Sequence, residues 1–315
     1  MARKVVLVTG AGGFIGRWSV PPLIAAGHEV HAVLGRAAGR EPPAALRGAV
    51  LHHADLLEHE PVEALMGAIR PSHLLHLAWT AAPGVYWTSP DNHRWLAAGR
   101  HLLQSFASNG GERAVMAGSC AEYDWSRAGV CSEGASPLAD AAGTAITPYA
   151  ACKIGMQRAL EGFGGARRMS TSWGRVFFLF GPDEHRHRLV ASVILSLLSG
   201  REAACTHGRQ IRSFLHVADV GRAFAALLDS AAVGPVNIGS PERLSIADLL
   251  GQIAARIGRP ELVRLGGRAA PAWEPALLVP DVARLYGEVG WRPQFSLGAA
   301  LDDTIEWWRH HAVMR

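Results

Sequence analysis

The sequence predicts an α/β fold, a doubly wound parallel sheet with a smaller C-terminal lobe. A short β-branched run, Lys4-Val5-Val6-Leu7-Val8, leads directly into a glycine-rich turn, which is the pattern of a buried parallel strand. Strand-like and helix-like runs then alternate as far as Phe180, the rhythm of a parallel sheet with helices on both faces. At 315 residues, with 49% hydrophobic and 18% charged side chains, the chain can bury a sizeable core and is an ordinary globular protein.

The elements follow in order. Gly13 to Ala26 reads as a helix ended by Gly27, and Pro21-Pro22 inside it should bend or shorten it. Glu29–Leu34 and Val50–His53 are strands, His59–Ile69 is helical, and His73–Ala78 is strand-like. Asp91–Ser108 is a long helix and Arg113–Ala117 another strand. Residues 124–146, rich in Gly, Ala and Ser, read as loop. Thr147-Pro148 is a cap followed by a first-turn proline, opening a helix to about Gly162. Ser172–Phe180 reads as one strand, Leu189–Leu198 as a helix, Phe214–Val217 as extended, Val220–Leu228 as a helix and Val236–Ile238 as a returning strand. Residues 241–315 read as three short helices separated by Pro and Gly. The expected division is a dinucleotide domain at 1–172 with returning segments near 173–181 and 214–240. A substrate lobe would be formed by 182–213 and 241–315.

Composition excludes several classes. The net charge is +4 and the 31 Lys+Arg are spread along the chain, so nucleic acid is not the expected partner; a modest positive field suits an anionic small molecule. Cys120, Cys131, Cys152 and Cys205 form no CxxC pair, which favours reduced thiols over a disulfide framework or a zinc site. The 15 His show no ligand spacing, so no metal is expected. Residues 1–9 lack a cleavable signal pattern, and no apolar run is long enough to span a bilayer. The expected location is cytoplasmic.

The turn Thr9-Gly10-Ala11-Gly12-Gly13-Phe14-Ile15-Gly16 spaces its glycines as GxxGxxG, one position off the GxGxxG fingerprint because residue 15 is Ile. The physics is shared: glycine allows the tight turn and the close backbone approach, and the following helix N-terminus receives a pyrophosphate. This is a Rossmann-type arrangement. At the end of the second strand an acid would bind a ribose 2′-hydroxyl, whereas an arginine accommodates a 2′-phosphate. Here Val33-Leu34-Gly35-Arg36 offers Arg36 and no acid, so NADP(H) is expected over NAD(H).

Tyr149 and Lys153 lie four apart on a predicted helix and share a face. A nearby ammonium should lower the tyrosine pKa towards the working range, letting Tyr149 exchange a proton with a carbonyl oxygen as hydride moves to carbon. Ser119, just beyond the strand 113–117, could bond the same oxygen.

With these motifs the chain resembles the extended short-chain dehydrogenase/reductases, of the NAD-dependent epimerase/dehydratase type, and within them the nucleotide-sugar 4-ketoreductases. The likeness runs through TGAGGFIG, Asp55-Leu56, His76-Leu77-Ala78, Asn92, Ser119, YxxxK, Gly181-Pro182, Arg212–Val217 and Asn237-Ile238-Gly239, in the family's order. It implies that Asp55 and Leu56 contact adenine, that Leu77 and Ala78 line the cofactor, and that Lys153 also holds its ribose. It further implies that Arg212 meets a substrate diphosphate and that helices near 91–108 and 148–162 pack in a homodimer. Trp79, Glu122, Tyr123, Phe178 and Arg188 complete the expected substrate contacts; Trp79 and Tyr123 also admit plain packing roles, and Arg188 a solvated loop. Three departures stand out. Phe178 and Ser213 replace the family's usual Asn and Asp, and Cys120-Ala121-Glu122 lacks the acid that 4,6-dehydratases carry directly after the position of Ser119.

The expected activity is therefore NADPH-dependent reduction of a nucleotide-linked 4-keto-6-deoxyhexose, with a redox-neutral nucleotide-sugar 4-epimerase as the alternative. A reductase of non-nucleotide ketones, suggested by Phe178, and a nicotinamide sensor without turnover remain as further readings.

Overall fold

The computed structural model describes residues 3–35, 41–141, 146–167 and 169–311. Its centre is a seven-stranded sheet whose strands we number β1 (Val5–Thr9), β2 (Glu29–Leu34), β3 (Val50–His53), β4 (His73–His76), β5 (Arg113–Ser119), β6 (Ser170–Val176) and β7 (Gly234–Ile238). The spatial order is β7-β6-β5-β4-β1-β2-β3, with every neighbouring pair parallel. The order reverses between β1 and β4, which opens a crevice at the carboxyl ends of those two strands.

Each strand sends alternate residues to opposite faces. Val6 and Val8 of β1 join the core beneath helices α1 (Gly16–Ala25) and α6 (Val217–Asp229). Leu7 joins the opposite core, beneath α2 (His59–Ile69), α3 (Asp91–Ser108) and α4 (Pro148–Arg167). A third core packs α5 (Leu189–Leu198), α7 (Ile246–Ile257) and α9 (Leu297–His311) around Phe180 and Phe214; the short helix α8 is Ala283–Gly287.

Several elements differ from expectation for identifiable reasons. Helix α1 begins at Gly16 and runs through Pro21-Pro22 without stopping. Pro22 cannot donate to the Trp18 carbonyl, and this carbonyl lies against α6: a Cβ on Gly221 would lie 2.4 Å from the Trp18 carbonyl carbon and oxygen. The single strand expected over 172–180 is two, broken at Phe177. β6 pairs in the main sheet, while Phe178–Phe180 pairs with Phe214–His216. Helix α4 runs beyond Gly162, with Thr171 packed against Gly164. Leu277–Pro280, in a stretch read only as short helices separated by Pro and Gly, joins Val130–Cys131, Ile211–Arg212 and Leu244–Ser245 in a small sheet. Among the described residues, no helix is long and apolar enough to cross a membrane.

Candidate active site

The glycine turn sits where β1 ends and α1 begins. Gly10 has a left-handed φ of +68°, and a Cβ there would lie 2.7 Å from the Ala78 nitrogen. A Cβ at Gly16 would lie 2.1 Å from the Gly10 oxygen, and Gly13 closes the turn by donating to that oxygen at 2.9 Å. Only glycine fits this cradle, and Gly13 leaves it open to solvent beside the α1 N-terminus. Such a surface fits a dinucleotide pyrophosphate. Phe14 is half-buried, and Ile15 packs towards the α6 side of the sheet.

Leu77 continues β4 by donating to the Thr9 carbonyl at 3.1 Å, which sets Ala78 against Gly10. Past β3, Leu56 is buried in the core with Leu7 and Val33, while half-buried Asp55 accepts from the Leu57 nitrogen at 3.0 Å. Arg36 lies outside the described residues, and with it the expected 2′-phosphate contact.

Arg17, absent from the expected site, clamps this turn. Its Nη2 donates to the Gly12 carbonyl at 2.7 Å and its Nε to that of Gly13 at 3.2 Å. Its Nη1 pairs with Asp183, which holds a left-handed φ of 65° just after Gly181-Pro182.

Ser119, Tyr149 and Lys153 converge beside the turn. Ser119 ends β5 and its hydroxyl caps the next turn by accepting from the Ala121 nitrogen at 3.2 Å. Tyr149 opens α4, where the Thr147 hydroxyl accepts from the Ala150 nitrogen, and it is hydrogen-bonded to Ser119. Its backbone nitrogen donates to the Trp87 carbonyl at 3.2 Å. Lys153 is buried; its Nζ donates to the Ala117 carbonyl at 2.8 Å and rests 3.9 Å from the centre of the Trp79 ring.

The electrostatics differ from the expected lowering of the tyrosine. Burial pushes the Tyr149 hydroxyl up, opposed by its bond to Ser119. Burial pulls the Lys153 ammonium down to about 7, against an upward pull from Glu122.

Glu122 and Tyr123, expected against a sugar, lie inside the core instead. Glu122 is 0% exposed: its Oε1 accepts from the Ser119 nitrogen at 2.7 Å, and its Oε2 from Trp173 Nε1 at 2.9 Å and Arg175 Nε at 2.8 Å. The Tyr123 hydroxyl donates to Asn237 at 2.8 Å and accepts from Arg175 at 3.0 Å. Cys120 is buried too, its thiol pushed by burial up to about 12. The other expected contacts are divided. Trp79 walls the site, its Nε1 donating to Asn92 at 2.9 Å. Arg188 lies over the Tyr86 ring at 5.4 Å, and Tyr86 meets Tyr149 edge-on at 4.8 Å. Arg212 lies over Phe178 at 5.3 Å, but it is buried and paired with Glu274 at 3.1 Å.

Sequence reasoning passed over a row of aromatic rings running from Tyr149 through Trp87 and Trp125 to Trp273, each step 5.7 Å between ring centres. A signal existed: the chain has 10 Trp, and two of them, Trp79 and Trp125, closely follow strands β4 and β5. Among the described residues, no group of His, Cys, Asp and Glu is arranged to hold a metal ion.

Three likenesses bear on this geometry. UDP-glucuronic acid decarboxylase 1 of Xenopus tropicalis is 26% identical over 98% of this chain and 72% of its own length. A dTDP-4-dehydro-6-deoxy-D-allose reductase of Streptomyces sp is 35% identical, over 42% of this chain and 41% of that protein. The solved UDP-glucose 4-epimerase of Thermus thermophilus, in complex with NAD, superposes with a TM-score of 0.81 at 26% identity, covering 97% of this chain and 99% of that one. The sequence model of the NAD dependent epimerase/dehydratase family matches residues 6–239, and with the glycine cradle and the Ser119–Tyr149–Lys153 cluster in place, the chain belongs to that family.

Proposed function

We propose that this protein is an NADPH-dependent reductase of a nucleotide-linked 4-keto-6-deoxyhexose. The observation that carries the choice is what flanks Ser119. Cys120 is buried with its thiol raised, and Glu122 is fully engaged with Trp173, Arg175 and the Ser119 nitrogen. Neither offers a free acid to expel water, whereas reduction needs only the proton donor that Tyr149 supplies.

The bound dinucleotide supplies the hydride. The chain's own residues do the rest. The glycine cradle and the α1 N-terminus hold the pyrophosphate. Ser119 and Tyr149 bond the keto oxygen, and Tyr149 transfers its proton to that oxygen as the carbon gains hydride, leaving a phenolate. Lys153, four residues on, stabilises that phenolate and relays a replacement proton. Arg188, and Arg212 once Glu274 gives way, are the cations offered to the substrate diphosphate.

A 4-epimerase is the second reading, favoured by the likeness to the Thermus enzyme with NAD. NADP(H) over NAD(H) rests on Arg36. Further parts of the proposal are a substrate lobe built from 182–213 and 241–315, a homodimer through α3 and α4, and a cytoplasmic location suited to the free, buried cysteines.

The test is NADPH oxidation by the purified protein with a panel of 4-keto-6-deoxy sugar nucleotides, NADH alongside. Substrate-dependent oxidation preferring NADPH, lowered about 100-fold or more in Tyr149→Phe, supports the reductase. Interconversion of sugar nucleotides at constant NADPH makes it an epimerase.

A further inference from the structure

Lys153 is a buried cation whose carboxylate neighbour is already committed. Its Nζ makes one hydrogen bond in the structure, to the Ala117 carbonyl. Around it stand three aromatic rings: Trp79 at 3.9 Å, Trp173 at 5.8 Å and Tyr149 at 5.9 Å from the ammonium to the ring centres. Glu122 lies beyond, held by Arg175 and by the Trp173 indole N–H. His76, at the end of β4, is bonded to Thr9 and its pKa is depressed by burial to about 3, so it adds no charge. Tyr149, Glu122 and His76 are thus the titratable groups facing Lys153, with Arg175 behind Glu122.

The closest ring is itself held by hydrogen bonds. Trp79 Nε1 donates to Asn92 at 2.9 Å, and Asn92, fully buried, donates in turn to the Tyr86 and Ser89 carbonyls at 2.7 and 2.8 Å. The indole face is therefore presented to the ammonium by a rigid bracket spanning the loop between β4 and α3.

We propose that Trp79 is a positioning residue for Lys153. Its π face holds the ammonium beside Tyr149 and keeps it charged in a site that burial would otherwise neutralise. A cation resting on a desolvated indole is favoured over the neutral amine. Loss of that face therefore lowers the pH at which Lys153 gives up its proton, while water entering in its place would raise it. The two effects have opposite signs, which separates an electrostatic role from simple wall-building. The catalytic consequence rests on the proposed function; the titration of Lys153 does not.

Lys4 and Lys153 are the chain's only lysines. Protein labelled with ¹³C at lysine Cε therefore shows two titrating signals, and Lys4→Arg assigns them without touching the site. We expect Trp79→Leu to move the Lys153 midpoint down by about one pH unit, with Trp79→Phe between it and the parent. Replacing tryptophan by 5-fluoro- and then difluorotryptophan withdraws π density at nearly constant shape. It should lower the midpoint stepwise, and less so in Trp79→Phe, which keeps the inference testable if the leucine variant misfolds. An unchanged midpoint on fluorination, or a rise in Trp79→Leu, overturns the inference. Neither readout needs cofactor or substrate, so a protein that fails as a ketoreductase can still bear out or refute this role. If it is a reductase, the pH–rate limb should move with the lysine midpoint.

Discussion

Replacing Glu122 by glutamine is nearly isosteric, yet it turns one of two acceptor oxygens into a donor. All the partners of Glu122 are donors: the Ser119 nitrogen, Trp173 Nε1 and Arg175 Nε. If the glutamine carbonyl takes the Oε2 position, its amino group faces the Ser119 N–H; if the amide flips, it faces Trp173 and Arg175. Either way a donor is set against a donor, and Arg175, 1% exposed, loses its only carboxylate and keeps neutral acceptors, Tyr123 and Gln157 and, in the first arrangement, the glutamine carbonyl. Stripping the counter-charge from a buried ion pair costs about 3–5 kcal/mol. At roughly 2 °C per kcal/mol for a chain of this size, the thermal midpoint of Glu122→Gln should fall by about 6–10 °C. Urea unfolding should show the same loss, read from the midpoint at unchanged slope. A thermal midpoint within about 1 °C of the parent, with a raised KM for the ketone substrate, would refute the reasoning, because it would mean that Glu122 faces the substrate and not Arg175.

Three other substitutions probe separate features. Gly16→Ala forces a methyl to within 2.1 Å of the Gly10 oxygen, where only backbone can yield; dinucleotide affinity, read by quenching of protein fluorescence, should fall at least about tenfold with about 1–3 kcal/mol of stability. Glu184 is buried with Oε2 unpartnered, and burial lifts its pKa from 4.5 to about 8. The folded state thus holds a proton that the unfolded chain releases, so this stabilising contribution is full at low pH and is lost as pH rises from about 4.5 to about 8. Urea unfolding across that window should show a shallower fall in Glu184→Gln than in the parent, and equal slopes would rule this out. Glu274→Gln removes the carboxylate paired with Arg212; calorimetry should find nucleoside diphosphates bound several-fold more tightly, whereas weaker binding would mean that Glu274 is needed to hold Arg212 in place.

The local signals in the sequence were strong where the chemistry is local. A β-branched run followed by GxxGxxG has one economical backbone solution, and the i, i+4 spacing of Tyr149 and Lys153 needs only a helix to put them on one face. What escaped depends on partners far along the chain. An acid beside Ser119 reads as a site residue until Arg175, 53 positions away, claims it. The strand break at Phe177 arises because its two halves pair with Arg113–Ser119 and Phe214–His216, and nothing local distinguishes these partners. Leu277–Pro280 is too short for a period to register, and Ile211–Arg212 and Val130–Cys131, brought in from far upstream, make it a strand. Pro21-Pro22 reads as a helix breaker, yet α1 runs through it with the Trp18 carbonyl against a glycine on α6, a contact no local pattern shows.

Arg17 gives the glycine turn and the segment after Gly181-Pro182 a shared fastening, since one guanidinium holds the Gly12 and Gly13 carbonyls and Asp183 together. Thermodynamic linkage makes such a fastening symmetric. If a pyrophosphate settling on the turn shifts Arg17, the change is felt at Asp183, and whatever free energy an occupied turn contributes to holding Asp183 must return as tighter dinucleotide binding once Asp183 is held first. Cooperativity between the two would then be a property of one arginine and not of two independent pockets.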